Sequence, residues 1–556
     1  MRKRLIYFEL LICGNILFGS NLSAQKGLDT IQIINIGTYN VTIRDAKKLK
    51  DSPINDDSTK VIPVLNYEIS SRKALTVFTP AQLTPPHMVG EPLKRLYKLY
   101  VKGGFGNYTT PYGELFFNNL RSKEVSWGLH LKHQSSASTL EDKGYSGYSD
   151  NQFSLYGKKF IRKHTLSGEL NYNRDVVHCY GYDIVANTIN DNDFTMNLFQ
   201  NISLGLALQS HLKDSAKINH NVSASFYNYS DNHNSAENNI YVGAHLFTHY
   251  MEQRIDLESS VNYFNYYQLQ SLNYDTVNDA LIRLAPSVTA GGQKFNCTIG
   301  LNVIADAAVK TKFHFYPKLE VNYDVVDHII IPYGGIRGGL KHNGYRSLSR
   351  ENPFLHPQTD LRNTDTKYEF YAGLRGSISE NINYNVFTSY AKMDDQYFFV
   401  NDYSEPLRNH FKVIYDSVKA INFHAELGYK MKEKFSFVFK GDFFKYTMRH
   451  ELQAWHRPQM QLTFELNYNL KDKIIAHADI FVIGKQFATK PPPSTAAFSL
   501  EELPGITDIN FGLEYRYNKK LSLFTNFSNM GAIRYERWQY YTTQRFQFMA
   551  GFTYSL

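Results

Sequence analysis

The last stretch of the chain, residues 546–556, alternates strictly between large or apolar side chains and small or polar ones. The large or apolar positions are Phe546, Phe548, Ala550, Phe552, Tyr554 and Leu556. A period of two residues places these side chains on one face of a β-strand. In a soluble sheet such a strand would leave a long aromatic edge, and open edges pair with other chains unless they are covered. The alternation therefore predicts that this strand closes a barrel by pairing with the first strand.

The same alternation recurs upstream, beginning near Leu96. Clear examples are residues 125–132, 202–209 and 421–429, in which large apolar side chains alternate with small or polar ones. A soluble β-sandwich would bury apolar side chains on both inner faces, whereas a membrane barrel has an apolar outer face and a polar interior. We therefore predict an all-β fold, a transmembrane antiparallel β-barrel spanning residues 96–556.

The connections between these segments alternate between short and long, which gives a count of about 22 strands, within about 18 to 24. Short connections lie near 121–124, 161–164, 213–215, 291–293, 326–327, 379–380, 432–433, 471–472 and 518–520, and long ones near 135–150, 183–193, 230–237, 343–365, 394–409, 489–505 and 530–541. Membrane barrels have short periplasmic turns and longer extracellular loops. An even strand count then predicts that both chain ends lie in the periplasm. Lys-rich turns and acidic loops agree with this orientation, although solvation alone also explains charged connections.

The amino terminus differs from the rest of the chain. Basic residues at 2–4, a mostly apolar run at 5–18 and small residues before Ala24 are typical of a secretory signal peptide, which we place at residues 1–24. Residues 25–95 contain several prolines, which forbid long regular elements. We expect this segment to be a short periplasmic extension or an abbreviated plug domain.

Composition excludes two other classes of protein. After residue 24 no segment approaches the ~20 apolar residues that a membrane-spanning helix needs. The 41 Tyr and 38 Phe residues suit strands and the headgroup level of a membrane barrel, so we expect outer-membrane lipid around the barrel. The net charge of +8 is spread over turns and strands without a nucleic-acid-binding motif, so we expect no nucleic-acid partner. We expect Cys179 and Cys297 to be unlinked.

The motifs of common enzyme classes are missing or wrongly spaced. His450, Glu451 and His456 lie in one predicted loop without the HExxH spacing of a zinc protease, and we interpret them as a solvated loop. The glycine-rich residues 103–106 lie in a predicted strand with no helix after them, and no GxSxG sequence occurs. A barrel can still assemble a catalytic triad from scattered residues. We nevertheless expect a protein that is not an enzyme, with no catalytic, metal or cofactor site.

The carboxyl-terminal region resembles the end of a TonB-dependent receptor barrel. In that family a strand ending in Asn-Leu runs through a Tyr-containing loop into the final strand. Here residues 521–530 end in Asn529-Met530, Tyr535 follows in the next loop, and the last residue is Leu556 where Phe is commoner. The segment Asn352-Pro353-Phe354-Leu355 also resembles loops of these barrels. The resemblance covers residues 96–556.

The resemblance implies a receptor-like barrel in the outer membrane of a Gram-negative bacterium that takes up a solute, with a TonB-type energy coupler as partner. Candidate extracellular-loop contacts for the solute are Asn352, Pro353, Phe354, Asp394 and Asp395. The family carries a globular plug that is longer than residues 25–95, so an empty lumen would leak. Three arrangements remain open, in which residues 26–95, the extracellular loops or a partner fill the lumen. An alternative function is a non-transporting structural subunit of an outer-membrane assembly or secretion complex.

Overall fold

The computed structural model describes residues 96–182, 195–212, 217–270, 273–292, 294–307, 310–490 and 499–556. The predicted signal peptide and the segment 25–95 lie outside these residues, and both stay predictions. No helix within the described ranges is long and apolar enough to cross a membrane.

Twenty-two strands of the described chain form one antiparallel sheet that closes on itself. These strands are β1 (Leu99–Gly106), β2 (Thr110–Asn118), β3 (Val125–Ser136), β4 (Tyr148–Ile161), β5 (His164–His178), β6 (Met196–Ser210), β7 (Asn219–Asp231), β8 (Ala236–Tyr250), β9 (Gln253–Gln270), β10 (Asn273–Gly291), β11 (Phe295–Asp306), β12 (Lys312–Tyr323), β13 (Ile331–Lys341), β14 (Thr364–Ser379), β15 (Ile382–Asn401), β16 (Phe411–Met431), β17 (Phe435–Met448), β18 (Met460–Leu470), β19 (Ile474–Ile483), β22 (Ile506–Arg516), β23 (Leu521–Ser528) and β26 (Gln547–Ser555). The hairpins β20 (Gln486–Lys490) with β21 (Ser499–Leu503) and β24 (Glu536–Trp538) with β25 (Tyr541–Thr542), and the helix α1 (Tyr345–Glu351), lie within loops. The predicted fold class and strand number are confirmed.

The last strand closes the barrel as its alternation predicts. β26 pairs with β23 on one side and with β1 on the other, where Gly104 lies opposite Gly551. Phe548, Phe552 and Leu556 remain 37%, 48% and 51% exposed. A lipid-facing barrel surface is built from exposed apolar side chains of this kind.

The inner face of the wall is polar. In β6 the side chains of Ile202, Leu204 and Leu206 are exposed, and the residues between them point the other way. On the inner face Lys132 forms an ion pair with Asp150, with the Nζ and Oδ2 atoms 2.6 Å apart. Burying an unpaired charge is costly, so an ion pair of this kind indicates that polar contacts stabilise the inner face. The predicted wet interior is confirmed.

Loop boundaries differ from the sequence-based prediction at the long-loop end. β15 extends to Asn401, so Asp394 and Asp395 belong to this strand, and the connection to β16 is only 402–410. A further connection at 449–459, between β17 and β18, was not among the predicted long connections. β15 and β16 have 20 and 21 residues, against 16 in β14 and 14 in β17, and near the end of β15 Phe398 packs with Trp455 while Phe399 packs against Trp538.

Candidate functional site

Several long loops fold into the mouth of the barrel at the long-loop end. We call this assembly the loop plug, made of residues 342–363, 402–410, 449–459 and 529–546. In α1, the Tyr345 hydroxyl donates to Asp231 of β7 at 2.5 Å, and Ser349 bonds the Tyr229 hydroxyl at 2.7 Å. The helix follows β13, which is separated from β7 by five strands of the wall. The helix therefore reaches β7 across the lumen.

Aromatic side chains form the centre of the loop plug. Phe354 stacks on Tyr541 with ring centroids 3.6 Å apart, and Tyr541 comes from the loop between β23 and β26. Phe411 at the start of β16 is fully buried and packs edge-on against Trp538. Side chains from two connections and from the start of β16 thus share one apolar core, which gives the loops a fixed arrangement.

The structure places the family-derived loop candidates in two locations. Asn352 and Phe354 are 0% and 9% exposed, and the carbonyl of Pro353 accepts a hydrogen bond from Asn197 at 3.0 Å. These three residues are packed inside the loop plug. Asp394 and Asp395 instead line a recess beside it. A role of any of the five residues in contacting a solute stays a prediction.

Charged side chains also join the loops to each other. Glu405 contacts His356 at 3.1 Å and His410 at 2.7 Å. Hydrogen bonds from these two imidazoles hold the pKa of the Glu405 carboxyl well below its usual range. Burial lowers the pKa of His410, but the nearby sulfur of Cys179 and the Glu405 carboxylate outweigh it and raise the pKa to about 10. The loop between β15 and β16 thus carries its own buried ion pair.

The interpretation of residues 450–456 as a solvated loop is correct for one histidine and wrong for the other. The His450 side chain is 70% exposed, whereas His456 is 6% exposed. His456 Nδ1–H donates to the Phe399 carbonyl at 2.8 Å, and Nε2 accepts the Gln539 backbone N–H at 3.4 Å. Burial lowers the pKa of His456 to about 4. The ring is therefore a neutral connector between two loops and the wall.

A polar recess of about 410 Å³ lies between the loop plug and the wall. We call it the acidic recess. Its lining residues are Glu237, Phe264, Tyr266, Val277, Asp279, Asp306, Lys312, His314, Leu340, His342, Leu361, Arg362, Asn363, Asp365, Lys367, Asp394 and Asp395. The wall residues come from β8 to β15, and four residues, His342 and 361–363, come from the loop plug. The recess is therefore lined by both the barrel wall and the loop plug.

Asp279 and His342 form the first of two carboxylate–imidazole pairs in the acidic recess. Asn363 Nδ2 donates to Asp279 Oδ2 at 2.7 Å, and His342 Nδ1 lies 2.9 Å from Asn363 Oδ1 and 3.4 Å from Asp279 Oδ2. The His342 ring stacks on Phe264 with centroids 3.4 Å apart. These contacts fix the orientation of the imidazole and its proton on Nδ1.

Asp365 and His314 form the second pair. Tyr316 donates to Asp365 Oδ1 at 2.7 Å, Lys367 donates to Oδ2 at 2.5 Å, and His314 Nδ1 lies 3.2 Å from Oδ2. His314 thus also has its Nδ1 directed at a carboxylate. Neither imidazole has a hydrogen-bond partner for its Nε2 among the described residues.

Three buried atoms of these pairs have no hydrogen-bond partner among the described residues, namely Asp279 Oδ1, His314 Nε2 and His342 Nε2. Buried polar atoms are usually satisfied, so unpaired ones mark a position where a ligand or water fits. No group of three His, Cys, Asp or Glu side chains in the described part of the chain is arranged to hold a metal ion. The unpaired atoms of the recess thus leave three hydrogen-bonding positions unfilled.

The sequence alone did not identify the residues of the acidic recess. His314 lies between Phe313 and Phe315, as many lumen-facing residues lie between apolar ones, whereas Asp279, His342 and Asp365 each have a polar residue on at least one side. Only the strand register shows that they face one another. Inward-facing His and Asp residues near the long-loop ends of neighbouring strands would have been the available signal.

Comparison with known proteins supports the fold. No family model matches the sequence, and no curated protein matches it. The chain is similar to the ferripyoverdine receptor of the outer membrane of Pseudomonas aeruginosa, with a TM-score of 0.63 and 12% identity over 84% of this chain and 72% of that one. It is similar to the F5-1 variant of the FrpB iron transporter from Neisseria meningitidis, with a TM-score of 0.64 and 8% identity over 84% and 83% of the two chains.

A third similar structure is the ferric-catecholate import receptor Fiu from K12 E. coli, with a TM-score of 0.61 and 9% identity over 83% of this chain and 82% of that one. Identities this low establish the fold alone. The resemblance noted at the carboxyl-terminal strand is confirmed at that level: the described chain has the 22-strand barrel fold of TonB-dependent siderophore receptors.

Proposed function

We propose that this protein takes up a small polar solute across the outer membrane of a Gram-negative bacterium. The observation that carries the proposal is the acidic recess, which lies in the mouth of a wide polar barrel and is lined by both wall and loop-plug residues. The similar structures with printed functions are receptors and a transporter, which favours uptake over a structural role.

The geometry suggests how binding is coupled to opening. A solute in the acidic recess would contact Arg362 and Asn363 of the loop plug and Asp279 of the wall. Glu237, another lining residue, accepts the Arg346 backbone N–H of α1 at 3.3 Å. A ligand shifts a conformational equilibrium only through different contacts with the two states. If α1 moves, the hydrogen bond from Arg346 to Glu237 breaks and the lining of the recess changes. A solute in the recess would therefore make different contacts in the closed and open states.

The proposal includes two kinds of partner. Outer-membrane lipid surrounds the apolar outer face, and a TonB-type energy coupler supplies the work for opening. The alternative function, a structural subunit of an outer-membrane complex, requires a stoichiometric partner that remains bound during purification in mild detergent.

A whole-cell uptake assay tests the proposal. Cells with the gene deleted are compared with cells carrying a plasmid copy, using a panel of labelled cationic, neutral and anionic solutes. We expect one solute class to enter only with the plasmid copy, and a protonophore to stop its entry. Equal uptake of every solute in both strains, together with co-purification of a stoichiometric protein partner, would support the alternative function instead.

A further inference from the structure

We infer that the acidic recess binds a small solute through a cationic nitrogen, an ammonium or guanidinium group. The inference deepens the proposed function by naming the chemistry of the solute, and it rests on that function only for the route the solute takes. Binding itself depends on the residues of the recess.

The unpaired atoms of the recess are hydrogen-bond acceptors. Asp279 Oδ1 has no partner among the described residues although Asp279 is only 7% exposed. The Nδ1 atoms of His314 and His342 face carboxylate or amide oxygens, so in the neutral form of each ring the proton lies on Nδ1 and Nε2 is an acceptor. A ligand that is rich in N–H groups would satisfy all three acceptors. Ammonium and guanidinium groups supply three or more N–H donors each.

The charge of the recess favours the same class. Among its described lining residues are six carboxylates and three Lys or Arg side chains. Lys367 is already engaged with Asp365 and lies 3.8 Å from Asp394, and Arg362 is shared between Asp360 outside the recess at 2.8 Å and Asp395 at 3.8 Å. Carboxylates would outnumber cations even if both histidines were protonated. A buried carboxylate is stable when it is paired with a cation, so a cationic ligand relieves the imbalance and an anionic one increases it.

The size and the remaining walls of the recess fit a small molecule. Its volume of about 410 Å³ lies within the usual range for small-ligand sites. Phe264, Tyr266, Val277 and Leu340 supply apolar surface for the carbon skeleton of the solute. With polar groups at one end of the recess and apolar groups around them, the recess orients the solute so that its cationic nitrogen faces the polar groups.

Equilibrium binding to the purified full-length protein in detergent micelles tests the inference. The probes are putrescine and agmatine, with 1,4-butanediol as the neutral analogue and succinate as the anionic analogue. Titration calorimetry above pH 7 should give binding of the two cations about tenfold tighter than that of the diol, and no binding of succinate. Preferential binding of the diol or of succinate would overturn the inference.

Two substitutions locate the binding site. Asp279→Asn preserves shape and removes the charge, and it should weaken binding of the cations about tenfold or more. Asp394→Asn, at the edge of the recess, should weaken it less. The control is Asp327→Asn, because the Asp327 side chain is 86% exposed on a turn at the opposite end of the barrel. Equal affinity of Asp279→Asn and Asp327→Asn for putrescine would refute the site.

The binding assay is independent of transport. If the cations bind but cells with and without the gene take them up equally, the proposed function fails and the recess chemistry stands. If uptake of another solute class depends on the gene while the cations do not bind, the recess chemistry fails and the proposed function stands.

Discussion

His456 shows how one buried side chain makes the loop plug sensitive to acid. Its Nδ1–H donates to Phe399 in the wall and its Nε2 accepts from Gln539 in another loop. Protonation of Nε2 would direct a second donor at the Gln539 N–H and break that contact. The neutral ring is therefore part of the closed arrangement.

The loop plug should lose stability as the pH falls from 6.5 to 4. The pKa of His456 is about 4 in the folded protein, below its ordinary 6.5, so the unfolded segment binds more protons in this window. The stabilisation is complete above pH 6.5, and about 3 kcal/mol is lost by pH 4. Trp538 packs on the His456 ring with centroids 5.4 Å apart, so its fluorescence should change over this range in a background that carries both Trp127→Phe and Trp455→Phe.

The matched variant for this titration is His456→Asn, which keeps a donor for the Phe399 carbonyl but does not titrate. Its Trp538 emission should stay constant between pH 6.5 and 4. An identical transition in both proteins would show that another group, such as Glu536, controls the acid response.

At the scale of the element, the seam between β1 and β26 depends on small residues. A Cβ atom on Gly551 would lie 2.1 Å from the Gly103 carbonyl oxygen, and that backbone cannot move without separating the strands. On the other neighbour of β1, a Cβ atom on Gly113 of β2 would meet nothing within 4 Å. The close approach of the two strands therefore requires glycine at position 551, whereas the space around position 113 admits a larger side chain.

Gly551→Val should prevent closure of the barrel, whereas Gly113→Val should not. Both substitutions add the same β-branched side chain to a strand next to β1, and valine is itself favourable in strands. Closed membrane barrels usually migrate differently on electrophoresis before and after boiling. We expect the heat-dependent shift to disappear only for Gly551→Val, and a shift that survives in both variants would contradict the seam argument.

The sequence predicted the strands better than it predicted the loops. The alternation at 202–209 and 546–556 reports a lipid-facing side because lipid contact requires large apolar residues there at every second position. The loops have no such periodicity. Phe354 and Tyr541 meet across the barrel mouth through long-range packing, and nothing near either residue in the sequence specifies the other. Asp279 and His342 were missed for the same reason, since they come from β10 and from the loop after β13 and meet only in the folded barrel.

At the scale of the whole molecule, the loop plug should be the barrier to ions at the long-loop end. Replacing residues 345–361 by a short Gly-Ser linker removes α1, Phe354 and Leu355, which reach across the lumen. In planar bilayers this variant should show stable stepwise currents where the intact protein shows none. The reason is that the polar wall then borders continuous water.

A second variant that lacks residues 25–95 identifies the contribution of the amino-terminal segment. If this variant conducts and the 345–361 replacement does not, the segment rather than the loop plug closes the barrel. Currents that appear only when both changes are combined would indicate two barriers in series, and would contradict the expectation for the loop replacement alone.

Both ends of every connection in the loop plug are strand ends of the wall. Loops that are anchored at both ends can shift within the mouth of the barrel. They cannot leave the barrel through its opposite opening, as a separate plug domain on a single linker could. The junctions between these loops and the wall strands also stay in the mouth when the loops move. They therefore reduce the open cross-section of the lumen in every conformation. Permeation through this barrel should therefore have a sharp upper limit in molecular size, set by the anchored loops and smaller than the diameter of the cylinder itself.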